Sequence, residues 1–410
     1  MTLVIIVVSV GFVKNVFGVL EVLSNTYCSA LWNHQFVDPV GRIKPCCRFD
    51  GNEFPLEHNI SDYKLQDTFY SDFQNSLREQ ASRGERIPGC VRCYQEEDAG
   101  KRSLRQRLNS HKTNQNLTKP VINFLELSLS NDCNLMCRMC DSRYSRKLFD
   151  EEVEYRGKAR AKQKYMNISL DEIYELLPTI TYLKFTGGEP MLIKAHWDLL
   201  EYAVENNYAK NITLNYSTNA TVYPKTKIVD TWSAFSSVEI ALSLDSIDAN
   251  ENEYLRHGTK QQSVLVNIDK YCSIRDKVNL QLMCRPTITI YNAYHLPETM
   301  EYLIERDIKS NPTHLTFPEH LSLTTLPASY KKVINNKLEN YDYKNEEVRT
   351  ACGYILAHMN STDDSSKWWE ETKRYTKFLD NSRGQDFLSV CSYYKAVSYT
   401  HLRAHETVDY

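Results

Sequence analysis

The chain has 410 residues, 42% of them hydrophobic and 25% charged, with a formal net charge of −3. That length allows two or three domains with cores of their own, and the near-balance of charge excludes a global field that would draw nucleic acid or a membrane surface. Twelve cysteines in a chain of this size do not call for a secreted disulfide framework, and their tight spacings point to metal chemistry in a reducing, cytoplasmic setting.

Residues 3–13 (LVIIVVSVGFV) form an apolar run of eleven, where a spanning helix needs about 20. Lys14 interrupts any extension, no cationic segment precedes the run, and no small-residue cleavage site follows it. Residues 1–23 therefore read as a buried strand or helix, or as a mis-assigned upstream extension, with a membrane anchor as the alternative.

Between residues 24 and 110 the apolar pattern is weak, and cysteine, proline and glycine punctuate it. Such a segment folds around a cofactor more readily than around its own core. Cys28 is followed by twelve residues, Gly41, four residues and Cys46, and Cys90-x2-Cys93 comes later. Four thiolates from Cys28, Cys46, Cys90 and Cys93 would close a [4Fe–4S] site; the alternative is a four-cysteine zinc ribbon, for which the first gap is wide. Cys47 is a spare that could replace Cys46 or remain free. The basic runs 101–107 and 156–164 read as solvated helix faces, and residues 110–119 as a linker.

From residue 121 short apolar runs alternate with longer amphipathic ones. Strands are predicted at 122–129, 182–186, 212–216, 238–244, 280–290 and 314–317, with helices between them, such as 192–206 and 296–306. That alternation predicts an α/β fold of six parallel βα units over residues 121–320, a partial (β/α)6 TIM-like barrel with its active site at the C-terminal ends of the strands. Residues 321–395 read as a helical C-terminal segment. Residues 396–410 resemble a translated sequencing adapter, and His401 and His405 are set aside with them.

The chemistry concentrates at the strand ends. LSNDCNLMCRMC places Cys133, Cys137 and Cys140 in one loop after the first strand of the barrel. Three thiolates can hold three irons of a [4Fe–4S] cube and leave the fourth iron open to a ligand; a zinc loop would want a fourth protein ligand. KFTGGEPM ends the second strand: Gly187 and Gly188 permit close backbone approach, Glu189 offers a carboxylate to an ammonium group, and Pro190 closes the turn. Ser217 and Asn219 (in YSTNA) end the third strand, Ser243 and Asp245 (in SLDS) end the fourth, and Arg256 follows in YLRHG. His257, His295 and His314 are assigned no role. Cys272, Cys284, Cys352 and Cys391 read as small buried hydrophobes.

The CxxxCxxC loop followed by GGEP resembles the signature of the radical S-adenosylmethionine (SAM) superfamily. The resemblance implies that Cys133, Cys137 and Cys140 carry a cluster whose open iron chelates SAM. It also implies that GGEP binds the SAM amino group, and that Ser217, Asn219, Ser243, Asp245 and Arg256 line the ribose and carboxylate. Met139 stands where relatives often carry an aromatic residue against the adenine. The Cys-x12-Gly-x4-Cys segment resembles the opening of SPASM and twitch domains, implying a second, auxiliary [4Fe–4S] cluster, although such domains usually follow the barrel. Together these imply an enzyme, expected to modify a peptide or protein side chain, fed by a flavodoxin- or ferredoxin-type electron donor. The alternatives are an enzyme of sugars or nucleotide precursors, and a non-catalytic iron–sulfur electron-transfer protein. No nucleic-acid or membrane partner is expected.

Overall fold

The computed structural model describes residues 12–14, 20–22, 24–50, 58–98, 100, 102–110, 119–162 and 170–398. Most of the apolar run 3–13, most of the linker and residues 399–410 lie outside them. Within the first stretch, Phe12–Lys14 and Leu20–Val22 pair as antiparallel strands.

One eight-stranded sheet organises the chain. In chain order its strands are β1 (His34–Val37), β2 (Ile43–Lys44), β3 (Phe124–Leu127), β4 (Tyr182–Phe185), β5 (Thr213–Thr218), β6 (Ser237–Leu242), β7 (Leu280–Cys284) and β8 (Lys309–Ser310). They lie side by side as β8-β7-β6-β5-β4-β3-β1-β2. Every neighbouring pair is parallel except the β1–β2 hairpin. Parallel neighbours need crossover connections, and helices supply them.

The helices used below are α1 (Asp72–Ser82), α2 (Val91–Asp98), α3 (Leu104–Asn109), α4 (Lys194–Glu205), α5 (Thr226–Trp232), α6 (Gln261–Ser273), α7 (Leu296–Ile304), α8 (Ala328–Glu339), α9 (Glu346–Met359) and α10 (Ser365–Arg383). From α4 to α7, helices join each consecutive pair of strands from β4 to β8, with a short helix, Ala249–Leu255, preceding α6 between β6 and β7. Helix α4 shows why: His196, Leu199, Leu200 and Ala203 are its buried residues, three or four positions apart and so on one face.

Strand side chains alternate between the two faces of the sheet. Leu125, Leu127, Leu183, Phe185, Leu214, Tyr216, Ile240 and Leu242 all belong to one apolar core. The opposite face carries Glu126, Lys184, Asn215 and Glu239, which are consecutive register partners across β3 to β6. A polar row therefore runs across the inner face.

The structure departs from the sequence reading in four places. The N-terminal cysteine-rich segment is not self-contained in its sheet, because β1 pairs in parallel with β3 and extends the main sheet. It also has apolar packing of its own around Leu31, Phe49, Leu77, Ala81 and Ile87. The predicted strand 280–290 stops at Cys284, and Thr287–Ile288 pairs separately with Thr313–His314; the sixth strand of the run is Lys309–Ser310 instead of 314–317. Arg105, expected on a solvated face, is only 7% exposed and pairs with Glu97.

Candidate functional site

The 133–140 loop leaves the C-terminal end of β3 and is held by its backbone. Met136–Cys137 pairs antiparallel with Arg256–His257. The Cys140 amide donates to the Cys137 carbonyl at 3.1 Å, and Ser145 Oγ donates to the Leu135 carbonyl at 2.7 Å. The turn brings the three thiols within electrostatic reach of one another: Cys137 and Cys140 both interact with charge on their neighbours, and burial pushes Cys133 up to about 12. Such thiols stay protonated unless a metal draws the proton off, because burial penalises the bare thiolate.

Positive and hydrogen-bond-donating groups surround them. Arg256 Nη1 lies 3.8 Å from Cys137 Sγ, and Asn219 Nδ2 lies 3.9 Å from Cys133 Sγ. Asp245 is fully buried and holds Arg256 through a 2.6 Å ion pair, while its other oxygen accepts from the Thr287 amide at 2.8 Å. Both oxygens of Asp245 are thus engaged, one by Arg256 and one by the Thr287 backbone. Among the described residues, buried Nε of Arg256 has no hydrogen-bond partner. Ser217 and Ser243 lie at the C-terminal ends of β5 and β6, with the Ser243 amide bonded to the Thr218 carbonyl at 2.9 Å.

The GGEP turn is stitched to the cysteine loop. Gly188 N donates to the Ser130 carbonyl at 3.0 Å, and Glu189 N donates to the Asp132 carbonyl at 2.8 Å. A Cβ at Gly188 would sit 2.3 Å from the Asp132 oxygen, and Gly187 has φ +101° with Ser128 against it. The glycines are required by the approach of the cysteine loop, a more local reason than room for a ligand. Glu189 is 1% exposed and accepts three hydrogen bonds, from Thr218 Oγ1 at 2.7 Å, Asn219 N at 2.8 Å and Met191 N at 3.1 Å. Burial raises it to about 7. Since a carboxylate offers about four acceptor directions, one remains for a donor such as an ammonium group.

A second group of thiols lies in the N-terminal segment. Cys28, Cys46, Cys90 and Cys93 line one cavity with Arg48, Phe49 and Arg105. Burial pushes Cys28 and Cys46 up to about 12. Arg105 and Arg48 bring positive charge to the wall, each paired with a carboxylate of α2, Glu97 and Glu96. Cys47 does not line this cavity; it lies beside Glu126 and Lys184 on the inner face of the sheet. Among the described residues no three His, Cys, Asp or Glu side chains stand close enough to grip one metal ion. The four sulfurs ring a space, and an iron–sulfur cube presents its ligand positions at separate corners. Thiols are the donor type that an iron–sulfur cluster takes, and both groups supply them.

Several residues of the site were not singled out from the sequence. Lys184 Nζ bonds Glu126 at 2.7 Å, and His34 lies 3.6 Å from the same carboxylate. Asn215 and Tyr182 both donate to Glu239. The alternation of β3 to β6 with apolar neighbours could have found this row. His196, which fixes the Pro190 carbonyl, and Asp380, which reaches Arg138 from α10, could not have been found that way.

Residues 127–315 match a family model described as the Radical SAM superfamily, which supports that superfamily for this part of the chain. Among curated proteins, GTP 3',8-cyclase of Actinobacillus pleuropneumoniae serotype 3 (strain JL03) is 28% identical over 204 residues, covering 48% of this chain and 52% of that protein. GTP 3',8-cyclase of Haemophilus ducreyi is 28% identical over 251 residues, covering 57% of this chain and 66% of that protein. The chain spans about half the length of the first of these relatives. Among solved structures, native anSMEcpe with bound AdoMet and Cp18Cys peptide overlaps at a TM-score of 0.37 with 20% identity, covering 54% of this chain and 59% of that one. Streptococcus suis SuiB bound to precursor peptide SuiA overlaps at 0.35 with 15% identity, covering 62% and 59%. Among the described residues no helix is long and apolar enough to cross a membrane.

Proposed function

We propose that the chain is a radical SAM enzyme whose SAM-cleaving centre is built by Cys133, Cys137 and Cys140. The observation that carries this reading is the joining of the CxxxCxxC loop to the GGEP turn through the 2.8 Å bond from Glu189 N to the Asp132 carbonyl. Two motifs some fifty positions apart thereby form one surface at the ends of β3 and β4. A [4Fe–4S] cluster bound there would, when reduced, supply the electron that cleaves SAM to methionine and a 5′-deoxyadenosyl radical. The chain's own residues prepare the place. Arg256 and Asn219 offset the negative charge of the thiolates, Asp245 aims Arg256, and Glu189 keeps one acceptor for the SAM ammonium. Gly187, Gly188 and Pro190 shape the turn, and Ser217 and Ser243 offer hydroxyls to the ribose and carboxylate.

The inner face of the sheet would receive the substrate. Its row of Glu126, Lys184, Asn215 and Glu239 suits a small molecule rich in donors and acceptors, and the relatives named GTP 3',8-cyclase support a nucleotide precursor. This reading is preferred over modification of a peptide or protein side chain, which stands second. Cys28, Cys46, Cys90 and Cys93 would carry an auxiliary [4Fe–4S] cluster, and a flavodoxin- or ferredoxin-type protein would deliver electrons.

The test is to reconstitute the chain anaerobically, reduce it and add SAM, with and without GTP. The reading requires 5′-deoxyadenosine, and more of it when GTP is present. No 5′-deoxyadenosine at full iron loading would leave the chain an electron-transfer protein; cleavage indifferent to GTP would return the peptide reading to first place.

A further inference from the structure

Arg138 stands between two of the cluster cysteines in sequence, and its surroundings come from the 254–255 segment and from the far end of the chain. Its amide donates to the Leu255 carbonyl at 2.8 Å, and its carbonyl accepts from Tyr375 Oη at 2.8 Å. The side chain is 0% exposed. Nε donates to the Tyr254 carbonyl at 3.1 Å, and Nη2 donates to Asp380 Oδ1 at 2.5 Å and to Gln385 Oε1 at 3.1 Å. The guanidinium carbon lies 3.5 Å from the centre of the Tyr254 ring.

A guanidinium shut away from water is costly to leave unpaired, and removing one partner of a buried ion pair is far costlier than never having built it. Asp380 is that partner, and it does more. The same Oδ1 accepts from Tyr254 Oη at 2.9 Å, and Oδ2 accepts from the Phe387 amide at 2.8 Å. One carboxylate thus ties the cysteine loop, the strand-end segment carrying Arg256, and the chain beyond α10. Three residues on, Arg383 pairs with Glu151 at 2.6 Å, in the helix that follows the loop. Tyr375, Phe378 and Leu379 of α10 also line a cavity shared with Met139 and Cys140.

We propose that Asp380 is a positioning residue for SAM cleavage: by anchoring Arg138, it lets helix α10 set where the sulfurs of Cys137 and Cys140 stand. The proposal rests on the radical SAM reading. Its basis is the location of Arg138, one residue after Cys137 and two before Cys140, so that any release of its backbone moves both sulfurs. The C-terminal helix is then a working part of the centre.

The experiment uses the full, cluster-reconstituted chain with Asp380→Asn, Asp380→Glu and Tyr375→Phe. Iron per chain, the change that SAM causes in the electron paramagnetic resonance spectrum of the reduced cluster, and the rate of 5′-deoxyadenosine formation are measured. Asp380→Asn should keep its iron, lose the SAM-induced spectral change, and slow cleavage on the order of tenfold to a hundredfold, the scale of a misplaced reacting group. Asp380→Glu should recover part of both, and Tyr375→Phe should shift both in the same direction by less. A native spectral change and native rate in Asp380→Asn overturn the proposal. If that chain does not fold, Tyr375→Phe decides, and native behaviour there overturns it equally. Wild-type protein that cleaves SAM keeps the radical SAM reading separate from this outcome; wild type that makes no 5′-deoxyadenosine removes that reading and this one with it.

Discussion

The backbone amide of Glu189 donates to the carbonyl of Asp132 at 2.8 Å, and with the bond from Gly188 N to Ser130 it fastens the GGEP turn along the start of the cysteine loop. The contact has no room for a side chain. Substituting Ala for Gly188 would put a Cβ 2.3 Å from the Asp132 oxygen, and a backbone atom cannot swing aside as a flexible side chain would. Gly188→Ala should therefore destabilise the chain by roughly 1–3 kcal/mol, as overpacking typically does, and should weaken SAM cleavage. Gly353→Ala in α9 is the matched control, because nothing lies within 4 Å of its added Cβ; it should be neutral or stabilise by about 0.5–1 kcal/mol through helix propensity. Thermal melts of the two variants check the contrast, and equal behaviour would show that the loop yields freely.

The two thiol groups should be separable. Replacing Cys133, Cys137 and Cys140 together by Ala removes three thiolates of one centre and should cost about four irons per chain and all 5′-deoxyadenosine formation. The N-terminal cavity is untouched, so the variant should remain brown, with a Mössbauer spectrum of a cluster that SAM does not perturb. A colourless variant carrying about one zinc would assign Cys28, Cys46, Cys90 and Cys93 to zinc instead.

Arg256 and Asp245 form a buried pair, with side-chain exposures of 12% and 0%. Arg256→Gln strands the carboxylate and should destabilise by about 3–5 kcal/mol. The double variant Arg256→Gln, Asp245→Asn leaves no charge stranded and should regain much of that loss, while SAM cleavage stays impaired because Cys137 has lost its cation. Denaturant melts on both variants give the answer; a double variant no more stable than the single would mean that the pair does not act as one unit.

Acid should loosen the turn through His196. Its Nδ1 meets the Pro190 carbonyl at 3.1 Å and its Nε2 meets Tyr216 Oη at 2.8 Å, an arrangement that a neutral ring satisfies. Burial holds it down to about 3, against about 6.5 for an exposed imidazole. The unfolded chain therefore takes up a proton that the folded chain refuses. The contribution to stability is intact above about pH 6.5 and is lost as pH falls toward about 3. His34 and His320, held down to about 4 by burial, act in the same sense. Melting temperatures should fall with acidity below about pH 6.5, and less steeply in His196→Gln, which cannot titrate. Parallel profiles for the two proteins would remove His196 from the account.

Spacing along the chain determined a good deal here. Alternating apolar and amphipathic runs predicted consecutive parallel strands, and β3 to β8 lie side by side in chain order, because short-range periodicity decides which residues face a core. CxxxCxxC and GGEP could be read as chemistry because their ligating atoms sit within one loop or one turn. What spacing could not carry was anything joined through space. That β1 would leave its cysteine-rich surroundings to pair with β3 was settled by an edge that β3 leaves open across some ninety residues of chain. That Asp245 would aim Arg256 and Asp380 would hold Arg138 was settled by burial. A buried guanidinium that pairs with a carboxylate depends on it strongly, and only the packed fold decides which one is within reach.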